Sequence, residues 1–249
     1  MQGKMRQDLY QELYEVENTH WWHWHKRAVV QSLLQKFASK GSVLDIGSGT
    51  GKILEELKEQ GWKVAGIDGE KEAKEWSKKR GIEIALGDVS KSALPFKDNS
   101  FDAVLALDIL EHLPNDANLL NEAKRIVKEN GIIIITVPAY SWFFTYWDTM
   151  LGHQRRYSKK DVEKLSHACK VKTLFISYYM AGLLLPFLVI RLFKQLTQTN
   201  SIPQSDFKIM PLASISLPLV STYCKWEQQL LRKRTLPFGL SLVWAVQKS

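Results

Sequence analysis

The stretch Leu44-Asp45-Ile46-Gly47-Ser48-Gly49-Thr50-Gly51 decides the fold. A short apolar run over 43–46 enters a turn with glycine at every second position, and an amphipathic segment over 51–60 leaves it. That order reads as strand, tight turn, helix, and a glycine turn in that context brings backbone close to a ligand. Working outward, apolar runs at 63–67, 82–86, 101–107 and 132–137 alternate with helical patterns at 70–80 and 116–128. Continuous β-branched runs bounded by glycine are strands covered on both faces, as in a parallel sheet. The expected fold class is therefore α/β, a doubly wound, mostly parallel seven-stranded Rossmann-like sheet with right-handed crossovers.

After Pro138 the rhythm loosens. A helix is expected over 159–169, capped by Ser158, then a strand over 171–178 and a last one over 239–246. Ahead of the sheet, 7–38 reads as two helices broken near Asn18-Thr19, with Thr19 as cap of the second. Between 179 and 237 lie two apolar runs, 180–190 and 209–220, interrupted by Pro186, Pro211 and Pro218. The division expected is an arm or lid (1–40), a central domain (41–178 with 238–249) and a hydrophobic, basic insertion (179–237).

The chain has 249 residues, 45% of them hydrophobic and 24% charged, enough to bury a proper core. Cys169 and Cys224 form neither metal spacing nor a disulfide framework, so a reducing, cytoplasmic setting is the default. No signal peptide is read at the start, and no apolar run approaches the ~20 residues that span a bilayer. The net charge of +8 has two readings, a lysine-rich surface or attraction to something anionic. The excess gathers late: Arg191, Lys194, Lys208, Lys225, Arg232, Lys233, Arg234 and Lys248 face only Asp206 and Glu227.

Three ligand classes compete for the glycine turn. A phosphate-binding P-loop needs four residues between its glycines before Gly-Lys-Ser/Thr; here Lys52 is followed by Ile53, and that reading fails. A dinucleotide would use the turn and Asp68, yet Asp45 just before it repels a pyrophosphate. S-adenosylmethionine reverses the sign, because it carries an ammonium and a sulfonium and no phosphate. Gly87-Asp88-Val89 closes the third strand, where a carboxylate can accept an adenine amine, and Leu107-Asp108-Ile109-Leu110-Glu111-His112-Leu113 completes the crevice.

With Gly66-Ile67-Asp68, Leu94-Pro95-Phe96-x-x-x-Ser100-Phe101-Asp102 and Arg125-Ile126-Val127-Lys128-x-x-Gly131 added, the stretch from about residue 40 to 140 resembles the class I S-adenosylmethionine-dependent methyltransferases of type 11. The resemblance implies a cofactor set of Asp45, Gly47, Ser48, Gly49, Asp68, Gly69, Asp88, Val89, Leu107 and His112. Within it, Asp68 would bind the ribose hydroxyls and Asp88 the adenine. Asp102 is expected to be a structural turn residue.

Two flanking motifs, His20-Trp21-Trp22-x-x-x-x-Arg27 and Gly152-His153-x-Arg155-Arg156-Tyr157, resemble a narrower branch of that family. The arm would fold over the cofactor, with Trp22 and Arg27 touching it and Arg27 holding its carboxylate. His20, His23 and His25 have no acid or cysteine placed to complete a zinc site, so no metal is expected. His153 is the expected general base, oriented by Asp148, and Arg155, Arg156 and Tyr157 the expected contacts to the acceptor. The bland alternative is a turn salt-bridged through Asp148 or Glu163. The acceptor expected is a small molecule, glycan or lipid-linked compound, with no nucleic acid, since no Asn/Asp-Pro-Pro-aromatic site for a flipped base is present. Region 179–237 reads either as a membrane-surface or lipid-covering flap or as a helical subdomain pairing two protomers. Rival functions are a non-catalytic cofactor-binding scaffold and an NAD-dependent oxidoreductase.

Overall fold

The computed structural model describes residues 7–90, 93–145, 148–149, 151–185, 188–189 and 218–248. Two helices, α1 (Gln7–Thr19) and α2 (Trp21–Phe37), precede β1 (Ser42–Ile46), α3 (Lys52–Glu59), β2 (Lys63–Asp68), α4 (Lys71–Lys79) and β3 (Ala85–Leu86). β4 (Phe101–Leu107), α5 (Asp116–Ile126), β5 (Val127–Pro138), α6 (Lys159–Ala168), β6 (Lys172–Tyr179), α7 (Pro218–Lys233) and β7 (Ser241–Gln247) follow. The strands form one sheet in the order β3-β2-β1-β4-β5-β7-β6. β1 to β5 pair in parallel, and β7 is inserted antiparallel between β5 and β6.

Both faces of the sheet are buried. On one, Leu44, Ile46, Val104, Ile133 and Ile135 pack with Leu119, Leu120 and Ala123 of α5 and Val162 of α6. On the other, Val43, Leu105, Ile132 and Ile134 pack with Val29, Val30, Leu33 and Leu34 of α2 and Leu54 and Leu57 of α3. Parallel pairing brings the carboxyl ends of β1, β2 and β4 to one edge, where the glycine turn, Asp68 and Asp108 lie.

Three local expectations are corrected. His20, not Thr19, caps α2: its Nδ1 accepts from the Trp22 backbone N–H at 3.3 Å. The third strand shrinks to Ala85–Leu86, because only those residues pair with β2. The helix expected to reach residue 128 ends at Ile126, because Val127 already pairs with Phe101. Ser158 caps α6 through a reciprocal capping box with Asp161, as expected. Residues 209–217 of the second apolar run, Pro186, Pro211 and about half of the 179–237 stretch lie outside the described residues, and Pro218 opens α7. Among the described residues no helix is long and apolar enough to cross a membrane.

Candidate cofactor and acceptor site

Gly47, Gly49 and Gly51 all have positive φ, at 78°, 51° and 75°. At Gly47 a Cβ would crowd the Ile109 side chain at 3.0 Å, and the left-handed dihedral favours glycine there. The turn is tied down from β2: Gly47 and Ser48 backbone N–H groups donate to Ile67 O at 2.8 and 3.2 Å, and Gly49 N–H donates to Asp68 Oδ2 at 2.9 Å. Asp68 Oδ1 accepts from Glu70 N–H at 3.0 Å, so its carboxylate is fixed by the backbone on both sides. Gly69, in the bend between these two donors, is exposed.

Asp45 is 3% exposed and its Oδ1 has no hydrogen-bond partner; nearby, the Ser48 hydroxyl is also buried and unpaired. Burial pushes the Asp45 carboxyl up to about 8, against the pull of Lys26. An orphaned buried carboxylate beside positive-φ backbone is what a cationic ligand would satisfy. Across the crevice Asp88 is exposed and accepts from Ser90 N–H and Oγ at 3.0 and 2.6 Å, while Val89 packs on the core. Leu107 is partly buried at the end of β4.

The arm reaches this edge. Glu17 of α1 accepts from Thr50 Oγ1 in the glycine turn and pairs with Arg80 at 3.3 Å, and burial raises its carboxyl. Trp22 is half-buried and meets Trp21 edge-on at 5.7 Å. Arg27 Nε donates to Glu56 of α3 at 2.9 Å, so its guanidinium is engaged on that helix. The cation aimed at the crevice is its neighbour: Lys26 Nζ donates to Asp108 Oδ2 at 2.8 Å. Asp108, with φ of 52°, also accepts from Thr136 Oγ1 at 2.8 Å. Burial alone would raise its carboxyl; the Lys26 pair outweighs that and holds it below the usual range. The motif pattern marks Arg27 and leaves Lys26 outside it. The available signal was helical geometry, which turns adjacent residues about 100° apart.

The loop after β5 and the turn after β4 meet. His153 Nδ1 lies 3.0 Å from Asp148 Oδ1, and His153 Nε2 lies 4.0 Å from Glu111 Oε1. The His112 and His153 rings are edge-to-face with centroids 4.7 Å apart. Burial and the neighbouring His153 lower His112 to about 4; burial drives Glu111 well above the ordinary carboxyl range, helped by Asp108. Asp148 is fully buried and accepts from Arg156 Nε at 2.6 Å and from Thr145 N–H at 2.8 Å. Although burial opposes it, these partners and His153 hold its carboxyl well below the usual range.

The basic and aromatic end of that motif is turned to framework contacts. Arg156 also donates to Ala139 O at 3.3 Å, Arg155 donates to Pro114 O at 2.9 Å, and the Tyr157 hydroxyl donates to Asp116 Oδ2 at 2.9 Å with the ring buried. Asp102 accepts from Ser42 N–H at 2.7 Å and Lys128 at 2.8 Å, a turn-fixing role.

Residues 44–135 match the family model described as a methyltransferase domain. The chain is 32% identical over 99 residues to a ubiquinone biosynthesis O-methyltransferase of Alkalilimnicola ehrlichii, covering 38% of this chain and 40% of that protein. Over 144 residues it is 29% identical to a demethylmenaquinone methyltransferase of Thermotoga maritima, covering 52% and 61%. Its matches thus span about half the length of these curated relatives. Among solved structures, a chain from the complex of the Haloferax volcanii Trm112 methyltransferase activator with its methyltransferase superposes with a TM-score of 0.62 at 16% identity, covering 98% of this chain and 99% of that one. The sheet order and these likenesses make the fold that of the class I S-adenosylmethionine-dependent methyltransferases.

Proposed function

We propose that the protein binds S-adenosylmethionine at the glycine turn and transfers its methyl group to an acceptor entering between the turn after β4 and the loop after β5. The observation that carries this reading is Asp45, a buried carboxylate with an unpaired oxygen at the mouth of a glycine turn. A pyrophosphate there would leave the acid buried and protonated, whereas an ammonium would pair with its carboxylate and favour loss of the proton. Asp68 is held by two backbone N–H groups and keeps lone pairs for ribose hydroxyls. Asp88 and Val89 lie beyond β3 at the adenine end of such a cofactor.

In this reading the sulfonium carbon is attacked in line by the acceptor. The new carbon–nucleophile bond forms as the carbon–sulfur bond breaks, leaving S-adenosylhomocysteine. The chain's part is to orient the acceptor and take its proton. Asp148 fixes the His153 ring through Nδ1, which leaves Nε2 to receive a proton from a hydroxyl acceptor. Exposed Trp142, Phe144 and Leu151 flank the same loop and favour an acceptor with an apolar, lipid-like portion. Two relatives are described as a ubiquinone biosynthesis O-methyltransferase and a demethylmenaquinone methyltransferase, and both support that class without choosing within it.

The test is methyl transfer from radiolabelled S-adenosylmethionine to isoprenoid quinols, phenolic lipids and glycans offered separately. Label moving into one class, and lost in His153→Ala while cofactor binding persists, is the expected result. Label incorporation unaffected by His153→Ala would remove the imidazole from the mechanism.

A further inference from the structure

We propose that Glu111, His112 and His153 form a binding site for a divalent first-row cation of the zinc class, with Asp148 as the carboxylate behind it. Among the described residues, these three each offer one ligand atom, and the three atoms lie within 4.8 Å of one another. Two imidazoles and one carboxylate are a donor set that such cations take, leaving at least one position open.

Three features of the cluster point to a cation. Glu111 is 1% exposed, and its Oε2 has no hydrogen-bond partner. The nearest positive side chains are engaged elsewhere, Lys26 with Asp108 and Arg156 with Asp148. Lastly, the proton on His153 Nδ1 is directed at Asp148 Oδ1, 3.0 Å away, which leaves the Nε2 lone pair facing Glu111 Oε1 at 4.0 Å. That separation is too long for a hydrogen bond. Donors about 2.0–2.2 Å from a metal stand roughly 3–3.5 Å from each other, so these two atoms need to close by only about 0.5–1 Å to share a cation. A carboxylate on the far nitrogen of a ligating histidine is the usual way to fix its ring.

The site rests on side-chain placement and not on the methyl-transfer reading. It gives Nε2 of His153 a second use. A bound cation would acidify an acceptor oxygen in the open position, whose proton would leave to solvent water, the task that falls to the bare imidazole in the methyl-transfer reading.

The experiment is titration of chelator-stripped protein with Zn²⁺ by calorimetry and with Co²⁺ by visible absorption, with S-adenosylmethionine titrated separately. One equivalent is expected to bind, with the intense visible bands of a low-symmetry cobalt site. Asp148→Asn should weaken it by roughly 10- to 100-fold, and Glu111→Gln and His112→Ala by more. Circular dichroism identifies any variant that does not fold; for these the wild-type cobalt spectrum decides. No binding, the weak bands of hydrated cobalt, or affinity lost in His20→Ala and kept in folded Glu111→Gln would each overturn the site. Failure here with S-adenosylmethionine still bound would leave the cofactor reading standing.

Discussion

At the scale of single residues, Asp45 titrates near 8 in the fold, whereas in an unfolded chain an aspartate ionises near ~3.9. Between those values the native state holds a proton that the unfolded state has lost. Stability without ligand therefore falls as pH rises from about 4 to 8. Asp45→Asn removes that loss. The variant should gain roughly 1–3 kcal/mol over the parent near pH 8, the scale of an unsatisfied buried polar group, and progressively less toward pH 5. Urea unfolding at the two pH values checks this, and an equal effect at both would contradict it. The same variant should bind S-adenosylmethionine more weakly, because the ammonium loses its counter-charge. Glycine spacing and Asp45 were legible in the sequence because both act locally. Lys26, facing Asp108 in place of Arg27, was not, since it depends on how α2 is rotated against the sheet.

At the scale of elements, α2 joins two distant parts of the chain. His25, buried on α2, lies 2.5 Å from Glu227 Oε2 of α7, and Glu227 also accepts from Met180 and Ala181 N–H groups, each at 2.8 Å, and from the Tyr223 hydroxyl. One carboxylate thus satisfies the chain's exit from β6 and fastens α7 to the arm. Glu227→Ala strands two backbone donors and an imidazole, and should cost about 3–5 kcal/mol in denaturant unfolding, with Glu227→Gln costing less. A cost below about 1 kcal/mol would show that α7 contributes little to the fold. Nothing in the sequence paired His25 with Glu227, because the pairing depends on where the chain returns after 179–237. The helices up to residue 169 and the strands were legible from periodicity, with errors at their ends, whereas α7 was not expected. α5 stops at Ile126 because strand pairing claims Val127, a long-range contact that local pattern does not carry.

At the scale of the whole molecule, the parallel sheet brings the ends of β1, β2 and β4 to one edge, and β7 inserted antiparallel beside β5 completes the class I arrangement. The mostly parallel, doubly wound sheet followed from the alternation of strands and helices; the antiparallel insertion of β7 between β5 and β6 did not. The acceptor side followed only in part: Asp148 and His153 were expected together, but Glu111 and His112 join them only because the turn after β4 packs on the loop after β5. Gln154 makes that contact, its N–H donating to Glu111 O at 2.7 Å and its side chain to His112 O at 2.8 Å. Gln154→Ala should loosen this junction and lower methyl transfer more than cofactor affinity, read as a fall in kcat with the cofactor Kd little changed.

Ligand that binds only the native state adds stability, about 2.7 kcal/mol at a hundredfold excess over Kd. S-adenosylmethionine should therefore raise the unfolding temperature, and NAD should not. The most direct measurement is calorimetric titration of the protein with each of these two cofactors, repeated with Asp68→Ala. One equivalent of S-adenosylmethionine is expected to bind, with no heat from NAD and with affinity reduced at least tenfold in the variant. Heat with NAD alone, or S-adenosylmethionine binding unchanged by Asp68→Ala, would contradict that expectation.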